Sequence, residues 1–317
     1  MLLRRGLMAA ALPALASLCR VPARAQGAAV WLDMDQAALD AAYDQRAYAP
    51  NMDQILRQHA FMNAAAARRL NTPQRFSYGR AAIETLDYYR GPSTGAPIHI
   101  FLHGGTWRSN TALGYAFVAE PLLRAGAHVV VPDFSSVDDA PGGLADLVAQ
   151  VRTAIAWVYS RAIELGGDRD RIFVSGHSSG AHLAAAALTT NWPADFGLPY
   201  SVLRGGLCIS GIFDLEPVRL SWRNEYLKLT DQSEQALSPQ RHLNFLSAPV
   251  VVAYGTEETP EFQRQSRDFA AAARNAGHDV ELLVGDGYNH FEMLGTLASP
   301  YGLAGRAALA QMRLARG

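Results

Sequence analysis

The stretch Ile172-Phe173-Val174-Ser175-Gly176-His177-Ser178-Ser179-Gly180-Ala181-His182-Leu183 runs from a β-rich apolar segment, through Gly-x-Ser-x-Gly, into an alanine-rich helical pattern. A serine set between glycines at a strand-to-helix turn is held in a strained backbone conformation, and side chains in place of the glycines would strike neighbouring backbone. The strain pushes the hydroxyl outward. The helix that follows aims its first N–H groups at the same point, where they favour developing negative charge. Ser178 is therefore the candidate nucleophile, and the order strand, tight turn, helix places it at the carboxyl end of a sheet strand.

Outward from this turn the pattern repeats. Ile98–Leu102, His128–Val131, Ile172–Val174, Gly206–Ile209, Val250–Ala253 and Val280–Val284 are short apolar runs punctuated by Pro, Gly or Asp, as expected of strands buried on both faces. Helical patterns lie between them, near 113–125, 143–165, 179–190, 260–277 and 301–315. Upstream, residues 31–75 carry a helical period that predicts helices ahead of the sheet and over the site. Residues 215–243, which include Trp222 and Tyr226, contain no clear strand and interrupt the alternation; with the N-terminal helices they form the candidate cap. The fold class is α/β, of the α/β-hydrolase type: one domain over 26–317, a mainly parallel central sheet with helices on both faces, and a small helical cap.

A serine hydroxyl needs a base to take its proton, and the base needs a carboxylate to orient it. His290, in Gly287-Tyr288-Asn289-His290-Phe291, follows the last apolar run and is the candidate base. The chain order Ser, acid, His then places the acid after Val250–Ala253, in Tyr254-Gly255-Thr256-Glu257-Glu258. Glu258 is chosen because in this fold the acid sits three residues beyond a strand-ending glycine; Glu257 and Asp286 are the alternatives. His103-Gly104-Gly105-Thr106-Trp107 follows another strand, and its glycines let backbone N–H groups approach a substrate oxyanion. Gly104, Gly105 and the N–H of Ser179 are the candidate oxyanion hole, with His103 read as stabilising the loop. Trp107, Trp222, Tyr226 and Phe291 are candidate substrate-binding aromatics.

The composition sets bounds. A chain of 317 residues that is 49% hydrophobic can bury one large core. A formal net charge of −1 gives no electrostatic reason for a nucleic-acid or anionic-membrane partner. No His-Glu-x-x-His motif and no paired Cys/His spacing appears, so neither a metal nor another cofactor is expected. Residues 1–25 read as a leader for export, with basic Arg4-Arg5, an apolar stretch from Gly6 to Leu18 and a small-residue site Ala23-Arg24-Ala25. The apolar stretch falls short of the roughly 20 residues that cross a bilayer, so no stable membrane anchor is expected. The predicted address is the periplasm, and Arg4-Arg5 matches the twin-arginine route in part. Removing the leader takes Cys19 with it and leaves Cys208 alone in an apolar run, as a core residue rather than a disulfide partner.

These residues resemble the serine-dependent kynurenine formamidases (arylformamidases) and their bacterial α/β-hydrolase relatives, near the carboxylesterases of the hormone-sensitive-lipase type. The likeness runs through Leu39-Asp40-Ala41-Ala42-Tyr43-Asp44-Gln45-Arg46, His103–Trp107, Gly176–Leu183, Ser210-Gly211-Ile212-Phe213-Asp214-Leu215-Glu216-Pro217-Val218, Thr259-Pro260-Glu261-Phe262 and His290-Phe291-Glu292. The resemblance implies Ser178, Glu258 and His290 as catalytic residues and Gly104 and Gly105 in the oxyanion hole. The family pattern carries Asp at the position of Glu258 and Tyr at that of Thr106, and the smaller Thr106 is expected to widen the acyl pocket. An export leader is a further departure for enzymes of tryptophan breakdown. The expected partner is a small ester or formamide, cleaved through an acyl-enzyme. The alternatives are a polysaccharide acetyl or feruloyl esterase and, from another class, a non-catalytic binding protein on a hydrolase scaffold.

Overall fold

The computed structural model describes residues 27–315, so the leader read in residues 1–25 lies outside the described residues. The chain opens with α1 (Gln36–Ala42), a 3-10 turn (Gln45–Tyr48) and α2 (Met52–Arg69). Next come β1 (Gln74–Ser77), β2 (Thr85–Tyr89), β3 (Ala96–Leu102), α3 (Ala116–Arg124), β4 (His128–Pro132), α4 (Leu144–Arg161), β5 (Gly167–His177) and α5 (Ser179–Leu188). A short α6 (Trp192–Phe196) leads to β6 (Gly205–Ile209), and then α7 (Glu216–Leu220), α8 (Asn224–Leu227) and α9 (Asp231–Leu237) follow without a strand. The chain closes with β7 (Val250–Gly255), α10 (Pro260–Asn275), β8 (Val280–Gly285), α11 (His290–Gly295) and α12 (Leu303–Met312).

The strands form one eight-stranded sheet in the order β1-β2-β4-β3-β5-β6-β7-β8. From β4 to β8 every neighbouring pair is parallel, while β1 and β2 are antiparallel additions at one edge. Alternate residues of a strand enter opposite cores. Val130, Val250 and Val252 join Leu147, Leu183 and Phe269 on one face; Val129, Val131, Val251 and Ala253 join Phe117, Leu122 and Leu309 on the other. Burial on both faces explains why these strands read as unbroken apolar runs. Cys208 is a free thiol buried in the first of these cores.

Two antiparallel strands were not legible as strands. β1 lies on the sheet edge with only Phe76 partly buried, so it lacks an apolar run, and its start falls inside the stretch read as helical. β2 is interrupted by Asp87, whose buried carboxylate is paired with Arg75 at 2.8 Å. Within 215–243, Leu227, Leu229 and Leu237 pack into the main core, so most of the insertion is a flank of the sheet rather than a lid.

Candidate active site

Ser178 terminates β5 and caps α5 with φ 59° and ψ −125°, in the positive-φ region that non-glycine residues avoid. The flanking glycines make this possible: a Cβ on Gly176 would collide with the Gly180 carbonyl, and one on Gly180 with the Leu102 carbonyl. The Ser178 N–H donates to the Ile209 carbonyl at 2.9 Å, tying the turn to β6.

Three loops at the carboxyl ends of β5, β7 and β8 then converge. The Ser178 hydroxyl lies 3.0 Å from His290 Nε2, and His290 Nδ1 lies 3.1 Å from Glu258 Oε2. Glu258 Oε1 accepts from the Ser210 hydroxyl and from the Gly255 N–H, both at 2.7 Å. The acid is therefore held by the ends of two strands, β6 and β7, while it holds the imidazole. Glu257 and Asp286 are exposed, whereas Glu258 is buried. His290 leaves the turn after β8 as the first residue of α11: Asn289 caps this helix, its side chain accepting from Phe291 and Glu292 N–H groups while Glu292 reaches back to the Asn289 N–H. A carboxylate–imidazole–hydroxyl chain of this geometry can shuttle one proton between the serine and a reacting group.

Gly104 packs so close to the turn that a Cβ there would press on the His177 carbonyl and on Ser178 Cβ. Asn110 Nδ2 donates to the Gly104 carbonyl at 2.9 Å, and the Arg108 and Ser109 N–H groups donate to the Gly105 carbonyl, which fixes the loop. Among the described residues the N–H groups of Gly104, Gly105 and Ser179 donate to no protein acceptor, which leaves them available at the serine. His103 stacks on Phe134 and Tyr115 at ring distances of 4.3 and 5.6 Å, and burial lowers its pKa to about 4, so it is a neutral strut of this loop. His177 Nε2 donates to the His290 carbonyl at 2.8 Å, and burial beside His290 pushes its pKa well down.

A cavity of about 780 Å³ opens over Ser178. Its floor is Gly104, Gly105, Thr106, His177, Ser178 and His290. Most residues of the Asp40–Arg46 segment and residues of α2 form one wall, Trp222 and Arg223 join it, and the loop and helix residues Ser109, Asn110, Tyr115, Phe291 and Leu294 complete the lining. The N-terminal segment thus covers the site, and the insertion contributes only two lining residues. Of the four candidate aromatics, Trp222 and Phe291 line the cavity; Trp107 and Tyr226 do not. Trp107 is 2% exposed, with its indole donating to His182 Nδ1 at 3.2 Å and its N–H to the Ser179 hydroxyl, so it braces the turn from behind. Tyr226 packs under the Arg108 guanidinium at 4.6 Å.

The sequence reading did not single out Ser210, Gln45 or Arg223. Ser210 and Gln45 lie inside stretches that carry the family likeness, which was their available signal. Gln45 accepts from the Thr259 N–H and donates to the Thr259 hydroxyl, each at 3.2 Å, and so joins the cavity wall to the residue after Glu258. Among the described residues no group of three or more His, Cys, Asp or Glu side chains could hold a metal ion, and no helix is long and apolar enough to cross a membrane.

Comparison with known proteins agrees with this architecture. The family described as BD-FAE matches residues 86–300. A kynurenine formamidase of Danio rerio is 32% identical over 278 residues, which cover 83% of this chain and 92% of that protein. One of Salmo salar is 32% identical over 286 residues, again 83% of this chain and 92% of that protein. The crystal structure of esterase LipW from Mycobacterium marinum superposes with a TM-score of 0.63 at 21% identity, covering 85% of this chain and 88% of that one, a likeness of fold. The chain belongs to the BD-FAE family of α/β-hydrolases and is a relative of the kynurenine formamidases.

Proposed function

We propose that the protein is a serine hydrolase that cleaves short-acyl carboxylic esters and aryl formamides of the N-formylkynurenine type through an acyl-enzyme. The observation that carries this reading is the Ser178–His290–Glu258 chain, with contacts of 3.0 and 3.1 Å, at a serine of positive φ. His290 Nε2 takes the proton as Ser178 Oγ attacks the carbonyl, and the N–H groups of Gly104, Gly105 and Ser179 are the donors for the oxyanion. Collapse breaks the bond to the leaving oxygen or nitrogen, which departs with the proton from His290. Water then attacks the acyl-serine by the same route in reverse. Glu258 accepts from His290 Nδ1–H throughout, which holds the tautomer and offsets the charge of the imidazolium.

Small residues at Gly104, Gly105 and Thr106 suit a short acyl group, while Trp222 and Phe291 line space for a flat leaving group. The wall built by Asp40–Arg46 favours a small molecule over a polysaccharide chain. The leader read in residues 1–25 supports a periplasmic address, for which the mature chain would begin at Gln26. Rates on p-nitrophenyl acetate and p-nitrophenyl decanoate test the substrate class, with the acetate expected to be cleaved much faster. Fluorophosphonate labelling tests the nucleophile, with label expected on Ser178. Rates that climb with acyl length would move the protein toward the lipases, and label elsewhere would remove the mechanism.

A further inference from the structure

Arg223 stands apart from the other cations. It is 5% exposed and is the single fully enclosed arginine or lysine among the described residues. It also lines the cavity that contains Ser178. Its Nη2 donates to the Tyr43 carbonyl at 2.8 Å, while its Nε has no partner. No carboxylate of the described residues lies within 4.0 Å of its guanidinium nitrogens. Arg241, from the same insertion, is by contrast met by Asp214, Glu216 and Glu234 at 3.1–3.3 Å, and Arg264 is met by Glu261 and Asp268, both at 2.7 Å.

The acids on the cavity wall do not answer Arg223. Asp40 Oδ1 accepts from the Trp222 N–H at 2.7 Å and from Gln36 Nε2 at 3.0 Å, and the exposed Asp44 accepts from the Arg46 N–H. The Tyr226 hydroxyl lies beside the guanidinium, and a phenol lone pair solvates a cation without neutralising it. Tyr43 and Trp222 rings flank the group at 5.3 and 5.8 Å, holding its plane in place. A guanidinium cannot shed its charge by deprotonation, and an enclosed, uncompensated ion is costly.

We propose that Arg223 is the receptor for a carboxylate on the leaving part of the substrate, so that the cavity selects esters and amides whose departing half is anionic. This rests on the hydrolase reading above and deepens it. The carboxylate would supply the missing counter-charge by charge-assisted hydrogen bonds to the free guanidinium edge, the contact for which a planar fork is built. The acyl carbon at Ser178 and the anion at Arg223 would then fix both ends of the substrate across one cavity.

The test uses acetyl esters of phenols that bear a carboxylate directly on the ring, through one methylene, or through two. Each is compared with its carboxamide isostere by the rate of phenol release. In the unaltered protein the best carboxylate should exceed its carboxamide in kcat/KM by at least about tenfold, chiefly through KM. Arg223→Gln should bring that ratio close to one, and Arg223→Lys should keep part of it. Each ratio compares two substrates on one preparation, so partial misfolding cancels. Should neither variant fold, the unaltered protein still decides. The matching phenol carboxylate should inhibit phenyl acetate hydrolysis competitively, with a Ki about tenfold below that of the phenol carboxamide. Equal treatment of the two isosteres at every length, or an unchanged ratio in folded Arg223→Gln, overturns the anion site and leaves Arg223 as a pin on the Tyr43 carbonyl. Failure to cleave phenyl acetate itself defeats the hydrolase reading, and this inference with it.

Discussion

Ser178, Glu258 and His290 stand on the carboxyl ends of β5, β7 and β8, where the backbone is fixed by parallel ladders and by two packed cores. The wall that covers them is different. Asp40–Arg46 and Trp222–Arg223 are joined to the sheet and to each other mainly through side chains: Gln45 to Thr259, Asp40 to the Trp222 N–H, and Arg223 to the Tyr43 carbonyl; α2 is likewise joined through its cap, Asn51, to Glu292 and Asn289. Main-chain hydrogen bonding positions the reacting groups, and a few replaceable side chains position the cavity around them. Substitutions at the sheet edge should therefore act on turnover, and those in the wall on substrate choice and on the last increments of order.

The largest expected effect is at the edge. Ser178→Ala should lower kcat on phenyl acetate by roughly 10⁴-fold or more while leaving the thermal unfolding profile in place, because only the hydroxyl is removed. A variant with near-normal turnover would remove Ser178 from the mechanism. Next comes the acid. Glu258→Gln should cost at least about a hundredfold in kcat, whereas Glu257→Gln and Asp286→Asn, both at exposed positions, should change it little. If Glu257→Gln proves the damaging change, the orienting role passes to its neighbour.

Acid should loosen the sheet body. Burial lowers the pKa values of His99, His103 and His182 to about 4, and it also pushes His177 down. For His182 the effect of burial is opposed by its hydrogen bond to the Leu237 carbonyl. Unfolded histidines take up protons near pH 6.5, so between that value and about 4 the unfolded state binds more protons than the folded one, and stability falls as pH falls. All four side chains belong to β3, the loop after it, β5 or α5, so the urea midpoint should drop between pH 7.5 and 5, with a loss of stability on the order of 1 kcal/mol for each of His99, His103 and His182 and a further loss from His177. An unchanged midpoint would mean that these rings are not held neutral. The smallest effect belongs to the wall. Gln45→Ala removes both contacts to Thr259 and should cost about 1–2 kcal/mol of stability, with a rise in KM that exceeds any fall in kcat. A loss confined to kcat would place Gln45 with the edge rather than the wall.

The parts of this molecule that could be read in advance are those whose signal is local. Gly176–Gly180 states its turn because strand, glycines and helix adjoin in sequence, and five of the six apolar runs announce parallel strands because both faces are buried; the sixth, Val280–Val284, is the parallel strand at the sheet's edge and is only partly buried. Ser178, Glu258 and His290 were legible for the same reason: each follows a recognisable strand, and the fold brings the three into hydrogen-bonding distance. β1 and β2 were hidden because an edge strand and a strand with a buried Asp87 carry no unbroken apolar run.

Composition marked Trp107, Trp222, Tyr226 and Phe291 alike as aromatics that could meet a ring. Only tertiary packing separates the two that face the cavity from the two that do not, because the side on which a side chain lies depends on neighbours far away in the chain. The same holds for Ser210 beneath Glu258, for Gln45 on Thr259, and above all for Arg223. The sequence by itself determined the sheet, the turn and the order of the reacting residues, since periodicity and punctuation are properties of adjacent positions. Whether a charge is answered is decided by distances across the fold, and no local pattern encodes that Arg241 finds three carboxylates while Arg223 finds none.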